Sequence, residues 1–185
     1  MAGSTDIPQA PRVLIYERHG MLNTDEMAEI LTSLQKQYAS METPDFSFVH
    51  SALHDRPYHP LVQSIGHLFT VTEDTDPNDD VSFGYLLHAE SHQWLLRLSM
   101  VGPYAVLLRL DKQAQGELIS SLTTTVSPIE AQLLTLLAEH GLHVLDAVTL
   151  ASPVALQLLN TAPEHTCLYQ ALFTDTDVFP WEKLV

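Results

Sequence analysis

Apolar and polar positions alternate with a period of two in three consecutive stretches of this chain. Val81, Phe83, Tyr85 and Leu87 interleave with Ser82, Gly84 and His88. Trp94, Leu96, Leu98 and Met100 interleave with Gln93, Arg97 and Ser99, and Tyr104, Val106, Leu108 and Leu110 with Ala105 and Arg109. Such alternation sends successive side chains to opposite faces of a strand. The connections at 89–91 and at Gly102-Pro103 are short enough to join neighbours, so residues of about 81–110 predict an antiparallel β-meander. The aromatic and aliphatic set is expected on one buried face. Leu86, Leu95, Val101 and Leu107 fall on the other, which is expected to be partly covered.

Elsewhere the period is helical. Met27, Ile30, Leu31, Leu34 and Tyr38 form one stripe, opened by Asn23 as N-cap with Glu26 three residues on. Ile129, Leu133, Leu136 and Leu137 form a second. Ser127 caps that helix, Pro128 suits its first position, Glu130 completes a capping box and Gly141 ends it. Short strands are expected at 13–16, 68–72 and 143–145, and helices over 154–159 and 164–173. In 44–60, Phe46, Phe48 and His50 alternate, but Pro44, Pro57 and Pro60 punctuate the run, which predicts a loop. Residues 73–80 (EDTDPNDD) predict an acidic turn. Residues 1–11, with Pro8 and Pro11, read as a flexible tail. Residues 12–185 read as a single α+β domain, an antiparallel sheet packed with several α-helices.

Charge changes this picture. The chain carries 23 acidic residues against eight basic ones, a net charge of −15, yet is 45% hydrophobic. That apolar content supports a core, so the charge belongs on the outside of a folded object. Such a field disfavours a phosphate-binding surface, so no nucleic-acid partner is expected, and it favours a basic protein partner. No apolar run has the length of a membrane span, and residues 1–11 lack the layout of a signal peptide. A single cysteine, Cys167, rules out an internal disulfide framework. A cytoplasmic location is expected on these grounds, with no membrane partner.

The motifs for chemistry are few. Asp74, Asp76, Asn78 and Asp80 have the two-residue spacing of the first half of an EF-hand loop, but position six is Asp79 and position twelve Tyr85. A solvated turn accounts for them better. His50, His54 and His59 are the candidates for zinc, and His50 and His54 share a face only if their segment is helical, which the prolines argue against. All ten histidines protonated would take the net charge from −15 to −15 + 10 = −5, weakening the surface field as pH falls through ~6.5. Neither a G-x-S-x-G elbow nor a glycine-rich phosphate loop occurs, so no cofactor is expected. Cys167 sits among apolar neighbours, as a buried inert thiol would.

Arg97 and Arg109 are expected on one face of the meander, nearly opposite each other, with His88 nearby. That is either an anion-receiving patch or a pair neutralised by overlying acids, and the surplus of acids favours the second. Phe179 and Trp181 either dock on the core or form an apolar anchor beside Asp175 and Asp177. No catalytic constellation stands out. The leading expectation is an acidic module that inhibits a basic partner, as an immunity protein neutralises a cationic toxin. Asp74, Asp76, Asp79, Asp80, Asp175, Asp177, Phe179 and Trp181 are its expected contact residues. The alternatives are a metal- or histidine-dependent hydrolase using residues 50–92, and an assembly subunit that self-associates through the second sheet face.

Overall fold

The computed structural model describes residues 24–120, 123–176 and 179–181. The expected tail, the strand at 13–16, the cap at Asn23 and Asp177 lie outside them. Five strands run in spatial order β1 (Thr70–Glu73), β2 (Ser82–Ala89), β3 (His92–Ser99), β4 (Tyr104–Leu110) and β5 (Gly116–Ile119), each antiparallel to the next. A short β6 (His143–Val144) pairs parallel to the start of β4. The expected meander and the expected α+β architecture are what the chain adopts.

Both faces of the sheet are covered. On one side lie α1 (Thr24–Tyr38), α5 (Ala147–Leu150) and α6 (Leu168–Leu172), packed on Tyr104, Val106 and Leu108 of β4. On the other lie α2 (Ser47–Asp55), α3 (His59–Ile65) and α4 (Pro128–Glu139), packed on Phe83, Leu87, Leu96 and Leu107. The second face is therefore occupied by the chain itself and is not a free surface for self-association. Among the described residues no helix is long and apolar enough to cross a membrane.

Covering both faces also explains a one-residue correction to the register. Four residues separate β3 from β4, so Trp94 pairs with Arg109 and Arg97 with Val106. Arg97 and Arg109 consequently point to opposite faces. In a sheet with one solvated face the polar residues would fix the register, but here both sets are apolar and the alternation alone leaves it open.

Segment 44–60 is helical, against the expected loop. Pro57 falls in the turn after α2, where Arg56 has φ 47°, and Pro60 sits in the first turn of α3, where its missing N–H costs nothing. Phe46 and Phe48 meet the Tyr38 ring edge-on at 5.4 and 5.1 Å. Helix α4 has the anticipated capping box, and Gly141 follows with φ 73°. The polar stretch after β4 contains β5, which the pattern missed.

The C-terminal third differs more. Residues 154–159 form no helix. Val154, Leu156 and Leu158 are buried and the residues between them exposed, an alternation that belongs to extended chain. Residues 164–173 split into a 3-10 turn (Pro163–His165) and α6, with Thr166 and the buried Cys167 extended between them.

Candidate functional site

The acidic turn after β1 is held close over β2. Asp74 N–H donates to the Gly84 carbonyl at 2.8 Å, and Gly84 N–H donates to Thr75 Oγ1 at 3.0 Å. A Cβ on Gly84 would stand 2.6 Å from the Asp74 carbonyl oxygen, so the crossing requires glycine. Asp74 and Asp76 are exposed and Asp79 half-buried. Asp80 is buried; its carboxylate accepts from Asp76 N–H at 2.9 Å and pairs with Arg97 at 2.7 Å.

The chain segment after α6 fastens this turn from the other side. Asp175 N–H donates to the Asp79 carbonyl at 2.7 Å, and Val81 N–H to the Phe173 carbonyl at 3.1 Å. The buried Asp175 carboxylate accepts the backbone N–H groups of Leu159, Asn160 and Thr161 at 2.7, 2.8 and 2.9 Å. Asn160 Nδ2 in turn donates to Asp79 at 3.1 Å. Asp80 and Asp175, two of the expected contact residues, are thus spent on internal partners, Asp80 on Asp76 N–H and Arg97, Asp175 on three successive backbone N–H groups. What they build is a ledge: Asp74, Asp76 and Asp79 along one side, and Leu159 projecting with 80% of its surface exposed.

A groove of about 370 Å3 runs beside the ledge, lined by Asp74, Asp76, Asp79 and the Asp80–Arg97 ion pair and floored in part by Leu95, Tyr169 and Pro180. Phe179 and Trp181 are docked rather than free. Their rings lie 5.8 and 4.8 Å from that of Tyr169, and 5.1 Å from each other. Both are half-buried there, on either side of Pro180 in the groove's lining.

The other arginine serves a different network on the opposite face. Glu130 is fully buried at the start of α4. Its carboxylate accepts from Trp94 Nε1 at 2.7 Å, Arg109 Nε at 2.8 Å, Arg109 Nη2 at 2.7 Å and Ser127 N–H at 2.7 Å. Burial pushes its carboxyl up, but those donors outweigh it and hold the group at about 2. Arg109 also donates to Glu117 at 2.7 Å and to the Thr125 carbonyl at 3.2 Å. Its hydrogen bonds to Glu130 and then to Glu117 raise its own basicity against the opposing effect of burial. Arg97, Arg109 and the exposed His88 therefore form no common anion patch: the arginines lie on different faces and each is neutralised by carboxylates.

His50 and His54 do share a face, one turn apart on α2, and His59 donates to or accepts from Gln63 at 3.0 Å. All three are exposed. Among the described residues no three His, Cys, Asp or Glu side chains converge as metal donors. No family model matches this chain, and neither a curated protein nor a solved structure matches it.

Pattern reading missed Leu159 and Glu130. For Leu159 the signal was present, since it is the off-beat position of the 154–159 alternation. For Glu130 only the helix cap was visible, because its partners Trp94 and Arg109 are 36 and 21 residues away.

Proposed function

We propose that the protein is a binding module that occupies a basic protein partner through the ledge of Asp74, Asp76, Asp79 and Leu159, in the manner of an inhibitor that neutralises a cationic protein. The observation that carries this reading is the fixation of Leu159. A leucine 80% exposed is held by a loop whose three N–H groups are clamped by a buried carboxylate, beside acids anchored to the same loop. Rigid apolar knobs ringed by charge lose little entropy on association, and the charges speed encounter with an oppositely charged surface. Three of the five described basic residues, Arg56, Arg97 and Arg109, are paired with carboxylates, so little positive charge opposes that field. The groove supports the reading too, since Asp74, Asp76 and Asp79 line it while its one arginine, Arg97, is already paired with Asp80.

The test is to ask whether a neighbouring gene encodes a basic protein and, with that protein, to measure association kinetics. The expected result is an association rate that falls about tenfold or more between low and high salt. Asp76→Asn with Asp79→Asn should slow association, and Leu159→Ala should speed dissociation. A complex with a salt-independent rate, or no complex, overturns the reading.

A further inference from the structure

Between the β2–β3 hairpin and the first turn of α4 lies a second cavity, of about 620 Å3. That is well within the range of about 300–1,000 Å3 in which small-molecule sites fall. It opens on the α4 side of the sheet, away from the ledge, so it stands apart from the proposed partner surface. Trp94, Val126, Pro128 and Ile129 supply apolar walls. The Trp94 ring is extended by the exposed His92 ring, 6.0 Å away and inclined by 33°.

The charges at the base are already committed. Glu130 and Arg109 neutralise each other, and Arg109 holds Glu117 as well. The base therefore offers apolar surface and the Arg109–Glu130 pair, with no unpaired cation to attract an anion. Of the two acidic residues lining the cavity, Glu130 is buried and Glu90 is exposed.

Glu90 occupies a position that disfavours it. It and Ser91 are the two central residues of the hairpin closed by the Ala89–His92 pair. Glu90 has φ 53°, and Ser91 is not among the residues with positive φ. A two-residue hairpin with positive φ at its first central position favours glycine there, and a glutamate holds that conformation only at a cost in stability. Glycine would relieve the strain and remove the carboxylate from the cavity's edge. Ala39, Arg56 and Ala114 also have positive φ, so what singles out Glu90 is its exposed carboxylate at the edge of the cavity.

We infer that this cavity binds a small organic cation, an amine with an aromatic or branched aliphatic body. The body lies against Trp94, Val126 and Ile129, and the ammonium group meets Glu90 at the opening. Exclusion of anions follows from the same carboxylate and from the net charge of −15. Aromatic bodies gain further from the Trp94 and His92 rings.

The probes are 2-phenylethylamine and phenylacetate, matched in size and opposite in charge, titrated into the full chain by calorimetry with tryptophan fluorescence as a second readout. The amine is expected to saturate with an affinity at least about tenfold above that of the acid. Glu90→Gly should melt at a higher temperature than the parent while losing that tenfold preference, a combination that a purely structural glutamate does not give. Val126→Phe and Ile129→Trp fill the cavity from different sides, so either one that folds should abolish saturable binding. Three outcomes overturn the inference: no saturable signal with the amine, equal affinity for amine and acid, or unchanged amine binding in Glu90→Gly and in a folded filling variant.

Discussion

Glu130 and the acids of the ledge are carboxylates of one chain put to opposite uses. Glu130 sits at 0% exposure with donors from three elements, and every lone pair of consequence is spent inside the molecule. Asp74 and Asp76 remain exposed; the one internal duty of the Asp76 carboxylate is to accept from Asn78 N–H at 2.9 Å and Asn78 Nδ2 at 3.0 Å, both at the surface. The difference shows where charge is structural and where it is available. A buried carboxylate with full hydrogen bonding is part of the packing, and removing it leaves partners stranded. An exposed one is nearly neutral to stability and acts through the field it projects.

The largest expected effect is therefore at Glu130. Replacing Glu130 with Ala strands Trp94 Nε1, the Ser127 N–H and the Arg109 guanidinium, and should destabilise by about 3–5 kcal/mol in chemical denaturation. Asp175→Ala leaves three backbone donors without their acceptor and should cost about 2–4 kcal/mol, with Leu159 losing its fixed place. Measured equality between this variant and a surface Asp→Ala control would erase the difference between buried and exposed carboxylates.

Acid should reproduce part of the Glu130 effect. Its carboxyl is held at about 2, below the ordinary 4.5. A depressed carboxyl stabilises the fold above its unfolded value, and that contribution drains away as pH falls from about 4.5 towards 2. The loss is on the order of 3 kcal/mol from this group. In Glu130→Gln that portion of the acid-dependent loss should vanish, which a comparison of denaturation midpoints across this window would reveal.

Gly84→Ala should cost about 1–3 kcal/mol, because its new methyl meets the Asp74 carbonyl and must push the turn away. Smallest of all, Asp76→Asn should change stability by no more than about 0.5 kcal/mol. Its effect should appear only in the salt dependence of partner association. A large loss of stability there would show that the ledge is structural after all.

Much of this arrangement was legible in the chain and some was hidden for identifiable reasons. The meander and α4 follow from periodicity and a capping box, both local signals. The placement of Arg97 and Arg109 does not, since a sheet covered on both faces has no polar set to mark its register, and a slip of one residue exchanged their faces. In 44–60 the prolines obscured two helices because Pro57 and Pro60 stand at boundaries, where proline is tolerated. Asp175 looked like any other acid, since nothing near it in sequence discloses that Leu159, Asn160 and Thr161 need an acceptor. Long-range satisfaction of backbone donors leaves no periodic trace.

The Asp79–Asp175 link ties residues almost a hundred positions apart in the chain. Synthesis therefore delivers the negative turn long before it delivers the clasp that sets its shape. Until the later segment arrives, the earlier one has charge but no defined contour, and a target that needs both will find only a half-made surface. The contour of the acidic turn is in this way completed only once the later segment has folded onto it.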